Sequence, residues 1–349
     1  MVQLAVNLIK KCLLLGLLAL LVAGFGAYKY FNSWLHEPMV LGDEGLVYQL
    51  SWGSSLGSAV RDFQARGLIE HPKVLLLYAR ITGQSHVRAG DYQLQPGTTP
   101  AQFVTIFHTG NVIEYSVALI EGWTFAQAVN ALAQAPRVKS LLQGKTAAEQ
   151  LALLDLPIDH PEGWFFPDTY QYHGGDTDVA ILKRAYGQMQ SHLERLWPER
   201  DPGLPYETPY QALVMASVVE RETGASWERR KIAGVFVRRL QRGMRLQTDP
   251  TVIYGMGEQY QGKIGRADLR RDTPYNTYTR SGLPPTPIAL PGEGALYAAL
   301  HPEPGSALYF VAKGDGTHVF SDTLEAHNKA VREYQLQRRG DYRSTLSAP

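Results

Sequence analysis

The strongest hydrophobic pattern lies near the start of the chain. From Cys12 to Tyr28 the run CLLLGLLALLVAGFGAY has seventeen apolar, small or aromatic residues and no charge. As a helix it spans roughly 25 Å, which with Tyr30 and Phe31 at its edge is enough to cross a bilayer core. Lys10 and Lys11 precede it, so the positive-inside rule places residues 1–11 in the cytoplasm, an anchor at 12–31, and the rest of the chain outside. Lys29, Tyr30 and Phe31 follow directly and leave no small-x-small cleavage site, so the anchor is expected to be retained. Asn32 to Glu44, polar and Gly-containing, reads as a short stalk.

Beyond the stalk the pattern repeats. Tyr48-Gln49-Leu50 is followed by Gly53-Ser54-Ser55, Gly57-Ser58 and Val60; Tyr92-Gln93-Leu94 is followed at the same offsets by Gly97-Thr98-Thr99, Ala101-Gln102 and Val104. A partial copy runs Val117, Gly122-Trp123-Thr124, Ala126-Gln127, Val129. Each copy predicts a strand, a Gly turn, and a hydroxyl (Ser55, Thr99, Thr124) capping an amphipathic helix. Gly67 closes the first helix and Pro72 opens another towards Arg80, which makes the order strand, helix, helix, strand. That order is similar to a LysM-type glycan-binding module, and equally fits a small α+β scaffold without a ligand.

From about Arg137 to Leu204 the spacing is helical but broken by Pro157, Pro161 and Pro167. Within it, Glu162-Gly163-Trp164-Phe165-Phe166-Pro167 predicts a loop that packs some aromatics and displays others. Thr208-Pro209 predicts a capped helix start. The helix YQALVMASVVERET is uncharged from Tyr210 to Val219 and apolar all round, as a buried central helix is. Ser226 is expected to cap a second helix, Trp227 to Arg242. Met244 to Gly292 reads as long and mostly irregular, followed by a hairpin (LYFVA, GDG, HVF) and a capped helix from about Thr323 to Arg338.

Composition narrows the options. Lys+Arg 34 against Asp+Glu 33 gives a formal charge of +1, so there is no electrostatic footprint for nucleic acid. The only cysteine, Cys12, excludes an intrachain disulfide and a cysteine metal cluster, and the ten histidines form no HExxH pair. Neither a metal nor a cofactor is called for. The 349 residues fit about two compact units.

The candidate chemistry is carboxylate chemistry. Glu220 and Glu222 fall in the last turn of the central helix, where apolar neighbours and the helix C-terminus both favour a protonated carboxyl, the form a general acid needs. Two residues apart, they point about 200° away from each other and cannot form a glycosidase dyad. Glu220 shares its face with Leu213, Ala216 and Ser217, whose small members leave room for a ligand; a salt bridge from Glu220 to Arg221, Arg229 or another arginine is the structural alternative. The irregular stretch adds Gln247, Thr248, Asp249, Tyr254, Asn276, Tyr278 and Arg280, hydrogen-bonding groups interleaved with flat rings, as a polysaccharide groove requires. All of these but Arg280, together with Glu162, are the substrate-binding candidates.

EGWFFPDTY, ASVVERET, RLQTDPTVIYGMG, YNTYTRSGLPPTPI and FVAKGDGTHVFSDTLEAHNKAV, in this order behind an anchor, resemble the endolytic murein transglycosylase family. The resemblance implies an α+β protein: an inner-membrane helix, a LysM-like subdomain at 45–121, and a mixed α/β catalytic domain at 122–345 facing the periplasm. It implies that peptidoglycan glycan strands are cut at the β-1,4 bond after N-acetylmuramic acid, leaving 1,6-anhydro ends, beside peptidoglycan synthases. The family's catalytic glutamate, in ASVVE, corresponds to Glu220. Two other readings stay open: a non-catalytic peptidoglycan anchor, and a hydrolase using Glu220 with Asp249.

Overall fold

The computed structural model describes residues 2–336. The expected helix beyond Leu336, and the expected end of the catalytic part at 345, lie outside the described residues. The chain divides into two compact units, one running to Tyr115 and including His173–Gly175, the other made of Ser116–Tyr172 and the chain from Asp176 onward.

The first unit begins with α1 (Val2–Leu35). Its Lys10–Leu35 portion, 26 residues, is long and apolar enough to cross a membrane. The helix does not give way to a stalk at Asn32: it continues to Leu35, and Trp34, Leu35 and Met39 enter the unit's core. Their apolar side chains explain why the polar average of residues 32–44 misled. β1 (Leu46–Leu50), α2 (Leu56–Ala65), α3 (Pro72–Ile81) and β2 (Gly90–Leu94) follow in the expected order. The strands pair antiparallel, Tyr48 opposite Tyr92. α4 (Pro100–Thr109) closes over them, with Tyr92 stacked on Phe107 at 4.3 Å and Phe103 against Phe63 at 4.7 Å.

The second unit is mainly helical. β3 (Glu114–Ala118) pairs with β4 (Thr169–His173), a strand absent from the sequence expectation. α5 (Phe125–Gln134), α6 (Ala147–Leu154) and α7 (Asp178–Leu196) precede α8 (Pro209–Glu222), the predicted central helix, in which Ala212 to Val219 are all buried. α9 (Arg229–Gln241) and α12 (Glu293–Leu300) enclose it, the alanines of α12 allowing close approach. Between them the stretch expected to be irregular holds two short helices, α10 (Asp249–Met256) and α11 (Arg266–Arg270), and lacks regular structure at 244–248, at 260–265 and from 271 to 292. The hairpin β5 (Tyr309–Ala312) and β6 (His318–Ser321) is antiparallel, and α13 (Leu324–Val331) starts at its Thr323 cap.

Capping chemistry is local and behaves as such. Ser55, Thr99 and Thr124 each accept from the backbone N–H three residues on, within reciprocal capping boxes. Ser226 does not cap. It lies inside a 3-10 turn, Ser226–Glu228, and makes no cap hydrogen bond at the start of α9.

Candidate active site

α8 is set by its ends. Thr208 Oγ1 accepts from Gln211 N (3.2 Å) with Pro209 in the first position, and the chain turns extended at Thr223. Midway, Ser217 Oγ accepts from Ile288 N (3.0 Å), which fastens the 287–292 segment along the helix. Leu290 N donates to Trp123 O (2.7 Å) and Gly122 N to Leu290 O (2.9 Å), which brings residues 121–123 alongside. Thus the last turn of α8 meets the start of α9, the start of α12 and the segment before α5.

Glu220 occupies that junction. Its Oε1 accepts from Arg229 Nη2 at 2.9 Å and its Oε2 from Gly292 N at 3.0 Å. The same Arg229 Nη2 donates to Glu121 Oε2 at 3.0 Å, so one nitrogen serves two carboxylates. Gly292 has no side chain for a steric reason: a Cβ there would collide with the Glu121 carboxylate. Exposure of the side chains falls from 47% at Glu121 through 14% at Arg229 to 5% at Glu220, so the cluster opens on the Glu121 side. Burial pushes the Glu220 carboxyl above its ordinary range, the Arg229 cation opposes this, and the Glu121 charge adds to it. The salt bridge foreseen as the structural alternative is therefore present, with Arg229; Arg221 turns instead to Gly122 O (2.9 Å).

Two further carboxyls are more strongly perturbed. Glu222 faces away from Glu220, as their spacing requires, and accepts from Thr248 Oγ1 at 2.6 Å; burial raises it to about 7. Glu162 is 3% exposed and is also raised to about 7, chiefly by burial. It accepts from Phe125 N (2.8 Å), the first N–H of α5, and from Tyr254 OH (3.1 Å) of α10. Both use their carboxyl oxygens to hold elements together, whereas Glu220 alone of the three shares its partner with a half-exposed second acid.

The groove candidates separate in space. Thr248 is buried and occupied with Glu222. Gln247 has an exposed side chain on a backbone with φ of 53°, and its Oε1 accepts from Arg239 Nη1 at 3.4 Å. Asp249 is exposed and accepts from Tyr278 OH at 2.6 Å. Tyr254 gives its hydroxyl to Glu162 and meets Tyr275 edge-on at 4.8 Å. Asn276 holds a loop: fully buried, it donates to the carbonyls of Asp268, Leu269 and Arg271 and accepts from Tyr278 N. Arg280 is tied to Asp272 by two hydrogen bonds of 2.9 Å. Trp164, Phe165 and Phe166 likewise disperse, stacking on Tyr210, Phe125 and His192 respectively. Gly163, at φ +83°, lets that loop pass Pro287, which a Cβ would strike. Sequence reasoning passed over Glu121 and Gly292. The only trace of Glu121 was its place just before the glycine turn of the third repeat copy.

Among the described residues no group of three His, Cys, Asp or Glu side chains could hold a metal ion. A polar cavity of about 750 Å³ between β4 and α7 is lined by Asp168, Arg184, Gln188 and His192 among others, and by none of the predicted groove residues.

Residues 48–333 match the YceG-like family model. The endolytic murein transglycosylase of Bacillus subtilis (strain 168) is 33% identical over 328 residues, covering 88% of this chain and 90% of that protein. The protein of the same name from Streptococcus pneumoniae (serotype 2, strain D39) is 26% identical over 357 residues, 91% of this chain but 63% of its own length. A crystal structure of a yceG-like protein from Listeria monocytogenes superposes with a TM-score of 0.52 at 29% identity, covering 82% of this chain and 99% of that one.

Proposed function

The chain belongs to the YceG-like family, and from that membership together with the Glu220 cluster we propose that it is an endolytic murein transglycosylase, cutting peptidoglycan glycan strands internally. The observation that carries the chemistry is the setting of Glu220: a carboxyl in the last turn of a buried helix, raised by burial, with an N–H and a guanidinium ready to receive its charge. Glu220 gives its proton to the oxygen between N-acetylmuramic acid and the next N-acetylglucosamine. The muramyl C6 oxygen attacks C1, the old C1–O bond breaks, and the resulting Glu220 carboxylate takes the C6 hydroxyl proton. Water is not consumed, a 1,6-anhydro end remains, and a single acid/base suffices.

In this reading α1 is a single-pass inner-membrane anchor with its N-terminus cytoplasmic and the remainder periplasmic, supported by its length and by Lys10 and Lys11. Residues 45–121 form a LysM-like glycan-binding subdomain, supported by the strand, helix, helix, strand order and the antiparallel β1–β2 pair. The catalytic domain follows from 122. Gln247, Asp249, Tyr254 and Tyr278 contribute the glycan groove. Held at the membrane beside the peptidoglycan synthases, the enzyme ends nascent strands.

Product analysis tests this. Purified glycan strands incubated with the protein should yield 1,6-anhydro ends; reducing ends would make it a hydrolase, and uncut strands a binding protein. Glu220→Gln keeps the shape but has no transferable proton, so anhydro product should fall about a hundredfold or more with glycan binding retained.

A further inference from the structure

Arg229 sets a problem for Glu220 as an acid. A guanidinium at 2.9 Å favours the carboxylate, yet the reaction must start from the protonated form. Glu121 resolves it. Its carboxylate lies 3.0 Å from the same Nη2, so the arginine keeps a counter-ion when Glu220 is neutral. When Glu220 has given up its proton, Nη2 and the Gly292 N–H are already in place to receive the anion. The rest of the guanidinium is confined: Nε is buried without an acceptor, and Nη1 sits where a Cβ on Gly294 would be 2.6 Å away.

The other charged groups around Glu220 are committed elsewhere. On α8 itself Arg221 bonds Gly122 O and Glu222 is turned to Thr248. Asp249 of α10 acts on Glu222. Glu293, next to Gly292, is taken by Arg195 at 2.6 Å and lies 3.7 Å from His192. Arg229 and Glu121 are thus the pair that acts on the Glu220 carboxyl directly.

We propose that Glu121 and Arg229 are positioning residues for the transglycosylase reaction: Glu121 competes for the Arg229 guanidinium so that Glu220 can hold its proton, and Arg229 receives the Glu220 charge once that proton has moved. This rests on the reading of Glu220 as the acid/base.

The test is the pH profile of anhydro-end formation by the full-length, detergent-solubilised protein on isolated glycan strands. Activity falls with rising pH as Glu220 loses its proton. Glu121→Gln leaves Arg229 uncompensated, so this fall should move to lower pH, and activity relative to wild type should drop about tenfold from pH 5 to pH 8. Arg229→Gln should move the fall to higher pH while lowering the maximum rate, and Arg229→Lys, which restores the cation, should return the profile towards wild type. Glu121 is half-exposed, so its amide variant keeps the fold. A Glu121→Gln profile parallel to wild type at every pH, or displaced upward, overturns the proposal, as does an Arg229→Gln profile that does not move. If Glu220→Gln itself stays active in this assay, it is the assignment of the acid that fails.

Discussion

Asn276 and Tyr278 stand two residues apart with opposite assignments. Asn276→Ala strips three donations to loop carbonyls and one acceptance from Tyr278 N in a fully buried site, and should cost about 2–3 kcal/mol of stability. Tyr278→Phe removes only a hydroxyl that meets the exposed Asp249, and should leave Tm nearly unchanged. Thermal unfolding of the two variants checks this; an unaltered Tm for Asn276→Ala would show that the loop does not depend on these hydrogen bonds. In the sequence both were polar positions between flat rings in an irregular stretch, and composition carries no information on which way a side chain points. Glu220 was more legible than either. A charge arriving after ten uncharged helical positions is a local signal, and so was the divergence of Glu220 from Glu222, since helix geometry alone imposes it.

Helix starts were read at Ser55, Thr99, Thr124, Thr208 and Thr323, where a hydroxyl closes its own cap, while the same device at Thr146 and Thr177, starting α6 and α7, was passed over in a stretch broken by prolines. Ser226 failed because a distant contact decides that turn: Glu228 is buried and accepts from His318 N at 3.0 Å and pairs with its ring at 2.8 Å. β4 was missed because its pairing partner lies about fifty residues upstream. Glu162 joins elements in the same long-range way, between the start of α5 and α10, and it confers a pH dependence. Its carboxyl goes from the ordinary 4.5 in the unfolded chain to about 7 when folded, so the folded state holds the extra proton between those values. Stability therefore falls as pH rises from about 4.5 to about 7, by about 3 kcal/mol at most, and levels off above. Glu162→Gln loses one of the two hydrogen bonds, since an amide NH₂ accepts nothing, but also loses this slope. Calorimetry at pH 5 and pH 8 should show a stability gap between wild type and variant that narrows at the higher pH; a gap independent of pH would contradict the burial of Glu162 as a proton-holding acid.

At the scale of the whole molecule, the long apolar helix α1 is also part of a folded unit. Trp34, Leu35 and Met39 are buried among the aromatics of the first core, so the boundary between the exposed apolar span and the folded unit falls inside α1 and not after it. A soluble protein beginning at Asn32 should keep that core, whereas one beginning after Met39 opens a space where three large side chains packed. The expected loss is several kcal/mol, since removing one such side chain costs about 2–5 kcal/mol. Comparing the Tm of the two truncated proteins measures this, and equal values would show that the end of α1 is dispensable.

What depends on neighbours along the chain was legible before any fold was known: the apolar span, the repeated turn-and-cap units, the all-apolar central helix, and the acid in its last turn. The sequence's longer motifs also carried the family. Tertiary structure alone decided which of three buried carboxyls shares an arginine with a second acid, which groove candidates are spent on loop carbonyls, and that three consecutive aromatics stack on three different elements. Those outcomes depend on segments such as 121–123, 220–229 and 287–292 meeting across as many as 171 positions of chain. Helical period and capping act over three or four residues, whereas a carboxyl's partner and proton affinity are set by whatever folding brings within a few ångströms.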